Sequence, residues 1–482
     1  MGENHEELAR AAAAGRPILF QGATVLPMDR PGYLARGEVL VRGSTIVAVG
    51  EQVEAPEDAL VIDGSGGILL PGMVDTHRHM WQSALRGFGA DWTLTQYFVF
   101  YYLKWGKIFR PEDIYAGNLV SAIESVDCGV TTTLDWSHGL QTVDHAEAAL
   151  QALGEIPARF VLAYGNLFGA PWEWSTSREF SDFVSRNFSA KQPLISLQIA
   201  FDVTGGPTFP EKAAFDAARE LDLAVTTHAG VWGATDDAGI RLMAEHGCMS
   251  ERVTYVHAAT LSEDSYQRIA ASGGNASVAT ESEQSAGQGY PPTWQLRRHS
   301  IPVSLSMDTS VWWSGDLFSA MRATLSADRA REHLEAHAKG ETVVHNALRA
   351  EEVVRWATIG GAQALGMADE IGTITPGKRA DLVLVKNDAS PTMFPILNPF
   401  GHLVFQAGRA DVHTVMVDGK VLKYDHALFG IDLEKARRAV EGTVEYAQGE
   451  LGPEEWVESM APELPPLELI PNPYTYNDPA SK

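Results

Sequence analysis

Cysteine is almost absent. The 482-residue chain has two, Cys128 and Cys248. Two thiols cannot build a disulfide framework, and neither sits in a Cys-x-x-Cys pair that would suggest a zinc knuckle. Both read as small packing residues and fit a reducing compartment, so the expected location is the cytoplasm. Positive charge is also scarce: 37 Lys and Arg face 62 Asp and Glu, a formal charge of −25. That balance argues against nucleic acid and anionic membrane as partners, and no basic patch or basic helix offsets it. No apolar run is long enough to span a bilayer. Residues 1–16 are Ala-rich and charged, without the apolar core of a secretion signal, and are expected to form an N-terminal arm. No internal repeat of solenoid length is present.

What is present centres on Pro71-Gly72-Met73-Val74-Asp75-Thr76-His77-Arg78-His79-Met80-Trp81, which follows the apolar run Gly67-Ile68-Leu69-Leu70. In a strand, residues i and i+2 share a face, so His77 and His79 would stand side by side. Neutral imidazole is a common ligand for zinc and other divalent first-row metals. Three later segments repeat the form. Leu223 to His228 and Val253 to His257 are short β-branched runs ending in histidine, and Ile301 to Asp308 ends in a carboxylate. Each reads as a strand with a metal-competent side chain at its C-terminal end. In a (β/α)8 barrel those ends converge on one site.

The rest of the chain fits that frame. Strand and helix patterns alternate between residues 71 and 369, which argues for a parallel sheet with crossover helices. Further strands are expected at Val130–Asp135, Phe160–Tyr164, Leu194–Ala200 and Asn275–Thr280, making eight, with helices near 211–221 and 262–272. Residues 17–70 read as a meander too small to stand alone. Its partner is expected at 370–425, where Val417-Asp418-Gly419-Lys420 is a strong hairpin signal. The expected fold is α/β: a TIM-like (β/α)8 barrel with a small composite β-sandwich built from both ends of the chain. Residues 426–482 are expected to form a helix, near 432–448, and a Pro-rich tail.

The order of these motifs resembles the amidohydrolase superfamily, in the branch that includes cytosine and guanine deaminases and the triazine and chlorohydrolase enzymes. The residues that carry the likeness are the 71–79 run, Thr227-His228, His257, Met307-Asp308-Thr309, and Gly372 to Val383; it spans roughly 17 to 425. Some relatives bridge two metals with a carboxylated lysine at the end of the fourth strand, but Leu194 to Asp202 contains no lysine. The resemblance therefore implies one divalent ion, Zn2+ first and Fe2+, Co2+ or Mn2+ as alternatives, held by His77, His79, His228 and Asp308. It places His257 beside the metal water and gives Asp308 a second role as proton acceptor. Two departures stand out. Deaminase relatives carry a proton-shuttling glutamate three residues after the fifth-strand histidine, where this chain has Val231. The segment after the seventh strand, where relatives often have His-Cys-Pro or His-Asn-Pro, reads Ala279-Thr280-Glu281-Ser282-Glu283-Gln284. Glu281 or Glu283 is a candidate replacement shuttle; the alternative is that both are loop carboxylates facing solvent.

Aromatic residues flank the candidate ligands. Trp81, Trp232 and Trp312 follow them closely, and Trp92, Tyr97, Phe98 and Tyr102 lie beyond the first strand, in a segment that tends to cover the site in the resembling family. They suggest an apolar, flat-walled pocket for an aromatic or heterocyclic small molecule. Arg86, and Arg78 beside the ligands, are candidates to orient an acidic group. The leading expectation is a mononuclear metal-dependent hydrolase of a non-peptide carbon–nitrogen bond, with amides, carbamates and ureas tolerating Val231 best. The alternatives are a deaminase or dechlorinase with a rebuilt shuttle, and an inactive binding barrel. Self-association as a homodimer or larger homo-oligomer is expected from the relatives.

Overall fold

The computed structural model describes residues 7–8, 10, 12, 14–168, 172–189, 194–231 and 234–464. In chain order, β1 (Ile18–Val25), β2 (Leu34–Arg42), β3 (Thr45–Gly50), β4 (Leu60–Asp63) and β5 (Ile68–Pro71) precede the barrel. The barrel strands are β6 (Met73–Arg78), β7 (Val130–Ser137), β8 (Arg159–Tyr164), β9 (Ile195–Ala200), β10 (Val225–Ala229), β11 (Val253–His257), β12 (Asn275–Val278) and β13 (Val303–Leu305). After them come β14 (Leu382–Val385), β15 (Val412–Val417), β16 (Lys420–Tyr424) and β17 (Ala427–Leu428).

Strands β6 to β13 pair in sequence order, each parallel to the next. The eighth strand stops at Leu305, three residues short of the expected end at Asp308. Beyond Leu305 the chain crosses to β6, where Arg78 and Asp308 form an isolated parallel bridge. Asp308 N–H donates to His77 O at 3.1 Å and His79 N–H to Asp308 O at 2.7 Å. This stitch closes the barrel and sets three candidate ligands side by side. The period-2 pattern of the strands explains the interior: Val74, Leu134, Trp136, Val161, Ala163 and Val256 share one buried cluster. A hydroxyl cluster joins them, with Thr76 Oγ1 at 2.7 Å from Ser277 Oγ and 2.8 Å from Ser304 Oγ.

Both ends of the chain contribute to one mixed sheet of nine strands, ordered β17-β16-β15-β14-β5-β1-β2-β3 with β4 beside β1. The join is β14 against β5, antiparallel, with Val383 opposite Leu70. The Asp418-Gly419 hairpin forms as its residue types require, with φ of 49° and 78°. A Cβ at Gly419 would meet Gly43 O at 1.9 Å, so only glycine fits there. Because β5 leads directly into β6, this sheet anchors the strand that carries His77 and His79.

The C-terminal helix runs Leu433–Leu451, slightly longer than expected, and lies on the helix Pro111–Asp127, where Thr443 Oγ1 donates to Asp113 Oδ1 at 2.9 Å. A short helix, Pro453–Glu458, follows. The Pro-rich tail beyond residue 464 lies outside the described residues. Among the described residues no helix is long and apolar enough to cross a membrane. Cys128 and Cys248 are free and buried.

Candidate active site

The floor of the site is made of strand ends. One donor atom each from His77, His79 and His228 lies within 4.8 Å of the others, and the same holds for His77, His257 and Asp308. Asp308 Oδ1 is 3.3 Å from His77 Nε2 and 3.4 Å from His79 Nε2. Hydrogen bonds fix two of the rings. His79 Nδ1 is 2.8 Å from Trp136 O, a carbonyl that can only accept, so the proton sits on Nδ1 and Nε2 keeps its lone pair. His228 Nδ1 is 2.7 Å from Asp202 Oδ1, which likewise leaves Nε2 for the centre of the site. His77 is wholly buried and neither of its ring nitrogens has a hydrogen-bond partner. Buried polar atoms without partners are costly, and three lone-pair atoms converging without a proton between them are the donor set a divalent cation takes. The residues therefore fit a metal ion.

The electrostatics agree. Burial pushes the His79 imidazolium down to about 4 and His77 well below its ordinary value, so both are neutral near pH 7. Burial alone would raise the Asp308 carboxyl, but His77, 3.3 Å away, and the neighbouring histidines hold it well below the usual carboxylate range. Burial also opposes charge on His228, yet Asp202 outweighs it and draws the imidazolium upward. His257 and Asp308 both have left-handed backbone, with φ of 71° and 65°. For residues with a Cβ that conformation is uncommon and is found where function fixes the chain. Gly230 makes room for it: a Cβ there would lie 2.6 Å from the backbone of Ala258.

Glu281 and Glu283 lie in a short helix, Thr280–Ser285, that begins just beyond the end of β12, so neither is an exposed loop carboxylate. Two residues apart on a helix, they face different ways. Glu283 is completely buried. Its Oε1 accepts from Ala279 N–H at 2.8 Å and lies 3.4 Å from His257 Nδ1. Burial raises its carboxyl against the pull of His257. Glu281 turns away, accepts from Ser314 Oγ at 2.9 Å, and is absent from the cavity wall. As a candidate shuttle it is corrected.

Above the floor is a cavity of about 290 Å³. Its walls include Tyr97, Phe98, Tyr102, Trp312, Gln288 and Val231, with the carboxylates Asp202, Asp236 and Asp308. No lysine or arginine is among the described residues that line it. This corrects the expected role for Arg86 and Arg78. Both pair with Glu124, and Arg78 also donates to Ser125 Oγ at 3.1 Å and Gly315 O at 3.3 Å, behind the site. Trp81 and Trp92 are also corrected as pocket residues. After His79 the chain tightens into a 3-10 turn, Met80–Leu85, which carries Trp81 into the core against Tyr101 and Phe109. Trp92 is buried beneath the cover, its Nε1 donating to Ser459 O at 2.9 Å. Trp312 lines the cavity as expected. Trp232 lies outside the described residues.

Sequence reasoning missed four residues. His138, at the end of β7, packs on His79 with ring centroids 4.2 Å apart. Asp202 follows β9 by two residues, so the strand-end pattern that marks the histidines marks it too. Gln288 and Asp236 carried no signal. Asp236 sits in the first turn of the helix Ala234–Glu245, and its Oδ2 accepts from Val231 N–H at 2.5 Å.

Comparison with known proteins gives a consistent picture. The model of the amidohydrolase family matches residues 68–422, well over half of the chain. The chain is 30% identical over 439 residues to a 5-methylthioadenosine/S-adenosylhomocysteine deaminase of Desulfitobacterium hafniense, covering 87% of this chain and 96% of that protein. It is 27% identical over 450 residues to a 5'-deoxyadenosine deaminase of Methanosarcina mazei, covering 89% and 98%. Among solved structures, a zinc-bound adenosine deaminase from Xanthomonas campestris superposes with a TM-score of 0.76 at 22% identity, over 90% of this chain and 98% of that one. An atrazine chlorohydrolase from Arthrobacter aurescens complexed with zinc gives 0.77 at 22%, over 89% and 100%. The chain belongs to the amidohydrolase family and is a metal-dependent hydrolase of carbon–nitrogen bonds.

Proposed function

We propose that this enzyme removes an amino group hydrolytically from a neutral or cationic amino-heterocycle, releasing ammonia. The observation that carries the reading is the cluster of histidines and Asp308 at adjoining strand ends, with unpartnered lone pairs, beneath an aromatic cavity that has no basic side chain among its described walls. The relatives at about 30% identity are nucleoside deaminases, which supports the deaminase alternative over ring-amide cleavage.

In this reading His77, His79, His228 and Asp308 hold one divalent ion, for which zinc is proposed because similar solved structures contain it. Bound there, such an ion supplies water with a pKa lowered to about 7, so that hydroxide is available at neutral pH. Asp308, a carboxylate in a site that lowers its proton affinity, takes the proton from the attacking water and passes it to the leaving amine. His257, held from behind by Glu283, steadies the oxygen that develops charge. Asp202 keeps the His228 ring turned to the centre. Tyr97, Phe98 and Trp312 offer flat walls to a ring. We also propose a cytoplasmic, self-associating protein: the buried free thiols support the first, and the exposed apolar side chains of Val344, Phe394 and Leu397 the second.

The test is ammonia release by the zinc-loaded protein from 5'-methylthioadenosine, 5'-deoxyadenosine and amino-triazines. Stoichiometric ammonia with an amino-to-oxo product supports the reading. A second reading, cleavage of a cyclic amide or carbamate, draws support from Val231, which cannot move a proton. A ring-opened product with no ammonia would favour it.

A further inference from the structure

We propose that the substrate carries a cationic group beside its heterocycle, and that Asp202 with the rings of Tyr97, Phe98 and Tyr102 receives it. The proposal rests on the amino-heterocycle reading above and narrows it to one class of charge. Asp202 Oδ1 is bound to His228 Nδ1 at 2.7 Å, and the Asp202 backbone carbonyl accepts from Trp172 Nε1 at 3.1 Å. Oδ2 has no hydrogen bond to any described residue, and the carboxylate is 38% exposed on the cavity wall. One carboxylate thus turns a histidine ring with one oxygen and offers the other to whatever fills the cavity.

The surroundings of that oxygen choose the partner. Tyr97, Phe98 and Tyr102 line the same cavity, with ring centroids 5.6 Å apart for Tyr97 and Phe98, 4.6 Å for Phe98 and Tyr102, and 6.0 Å for Tyr97 and Tyr102. Burial, backed by the charges of Asp202 and Asp308, pushes both phenols well above their ordinary value, so the rings stay neutral. A neutral aromatic ring attracts a cation held over its face. The carboxylates add to this. Asp308 belongs to the floor, where a metal ion fits, whereas Asp202 and Asp236, which accepts from Val231 N–H at 2.5 Å, leave the walls negative. No lysine or arginine among the described lining residues offsets them. A carboxylate on the substrate would meet repulsion there. A hydroxyl would satisfy Oδ2 yet leave the charge and the rings unanswered. A protonated amine or other small cation answers all three.

The test compares isosteric pairs that differ by one charge: 5'-amino-5'-deoxyadenosine against adenosine, and N-(2-aminoethyl)melamine against N-(2-hydroxyethyl)melamine. With the zinc-loaded protein near neutral pH, kcat/KM for ammonia release is expected to be higher for the ammonium member by about tenfold or more, as for a hydrogen bond to a charged group. Asp202→Asn slows both members through His228, and it should bring their ratio within about twofold, a loss of preference that a merely structural role would not give. Tyr102→Leu, which leaves Asp202 in place, should lower the ratio by about threefold. Equal kcat/KM within whichever pair is turned over, or a preference for the hydroxyl, overturns the proposal and leaves the amino-heterocycle reading standing. An undiminished preference in Asp202→Asn also overturns it. Ammonia from none of the four compounds overturns that reading, and the proposal falls with it.

Discussion

The floor and the roof of the cavity are built on different terms. The floor is strand ends, locked by backbone. His77 and His79 are stitched to Asp308 across the barrel seam, and His257 and Asp308 hold left-handed backbone that costs of order 1–3 kcal/mol each. The roof is the segment from Thr93 to Lys104, a short capped helix that runs into a π-helix at Val99–Lys104. It presents Tyr97 to Trp312, ring centroids 4.7 Å apart. It is held from the far end of the chain: Trp92 donates to Ser459 O, Gln96 Nε2 to Pro462 O at 2.8 Å, and Lys104 pairs with Glu455 at 2.8 Å. A polar link joins the two layers, Thr309 to Gln82 at 2.8 Å and Gln82 to Tyr97 at 2.5 Å, and Leu94 N–H donates to Ala286 O at 3.2 Å. Chemistry thus rests on backbone stitched from strand to strand, and the cover rests on contacts that can be cut without touching a strand.

Breaking the floor should have the largest effect. Asp308→Asn and His77→Ala are each expected to lower kcat by about 1,000-fold or more, because each removes both a donor and its geometry. Elemental analysis should find about one divalent ion per wild-type chain, as the cluster around His77 among the described residues implies, and much less in His77→Ala. Two ions per chain would mean the cluster holds more than the mononuclear site. Next comes Glu283→Gln, which keeps the bond from Ala279 N–H but removes the charge behind His257. A kcat lower by about 10- to 100-fold is expected, and near-normal kcat would make Glu283 a packing residue.

The floor was legible in the sequence and much of the wall was not, for a physical reason. His77, His79, His228, His257 and Asp308 each sit at or just past the end of a short apolar run, and the barrel brings such ends together, so local pattern predicts position. Asp202 obeys the same rule and was within reach of it. Asp236 lies in the first turn of a helix, away from any strand end, where the strand period does not link sequence to direction. Trp81 and Trp92 show the opposite failure. Nearness to a ligand along the chain implied the pocket, but the 3-10 turn after His79 rotates Trp81 into the core. Glu281 and Glu283 could not be told apart before the helix Thr280–Ser285 was seen, since their directions come from its phase. The two-ended sheet was legible because the Asp418-Gly419 turn and the alternating strands carry their own geometry.

Cutting the roof should be milder and should appear in binding. Removing residues 453–482 takes away the partners of Trp92, Gln96 and Lys104. A KM higher by about 5- to 10-fold with kcat within about threefold is expected, since only the cover loses support and each such increment is about 1 kcal/mol. A fall in kcat as large as that of Glu283→Gln would show that the cover also orders the floor, and the contrast between them would collapse.

The smallest effect separates the two faces of one helix. Glu281 has no place on the cavity wall, and burial, opposed by the Ser314 hydrogen bond, pushes its carboxyl up to about 7. A carboxyl whose value is raised in the folded state binds its proton more tightly there than in the unfolded chain. Its contribution to stability is therefore fully present below the unfolded value, about 4.5, and is lost as pH rises through about 7. The loss is at most about 3 kcal/mol. Glu281→Gln removes the titration while keeping an acceptor for Ser314, so its melting temperature should gain on the wild type between pH 5 and pH 8, with kcat unchanged at either pH. Parallel melting curves across that range would mean that Glu281 ionises freely in the folded protein. A loss of kcat would instead place it with Glu283, on the working side of the helix.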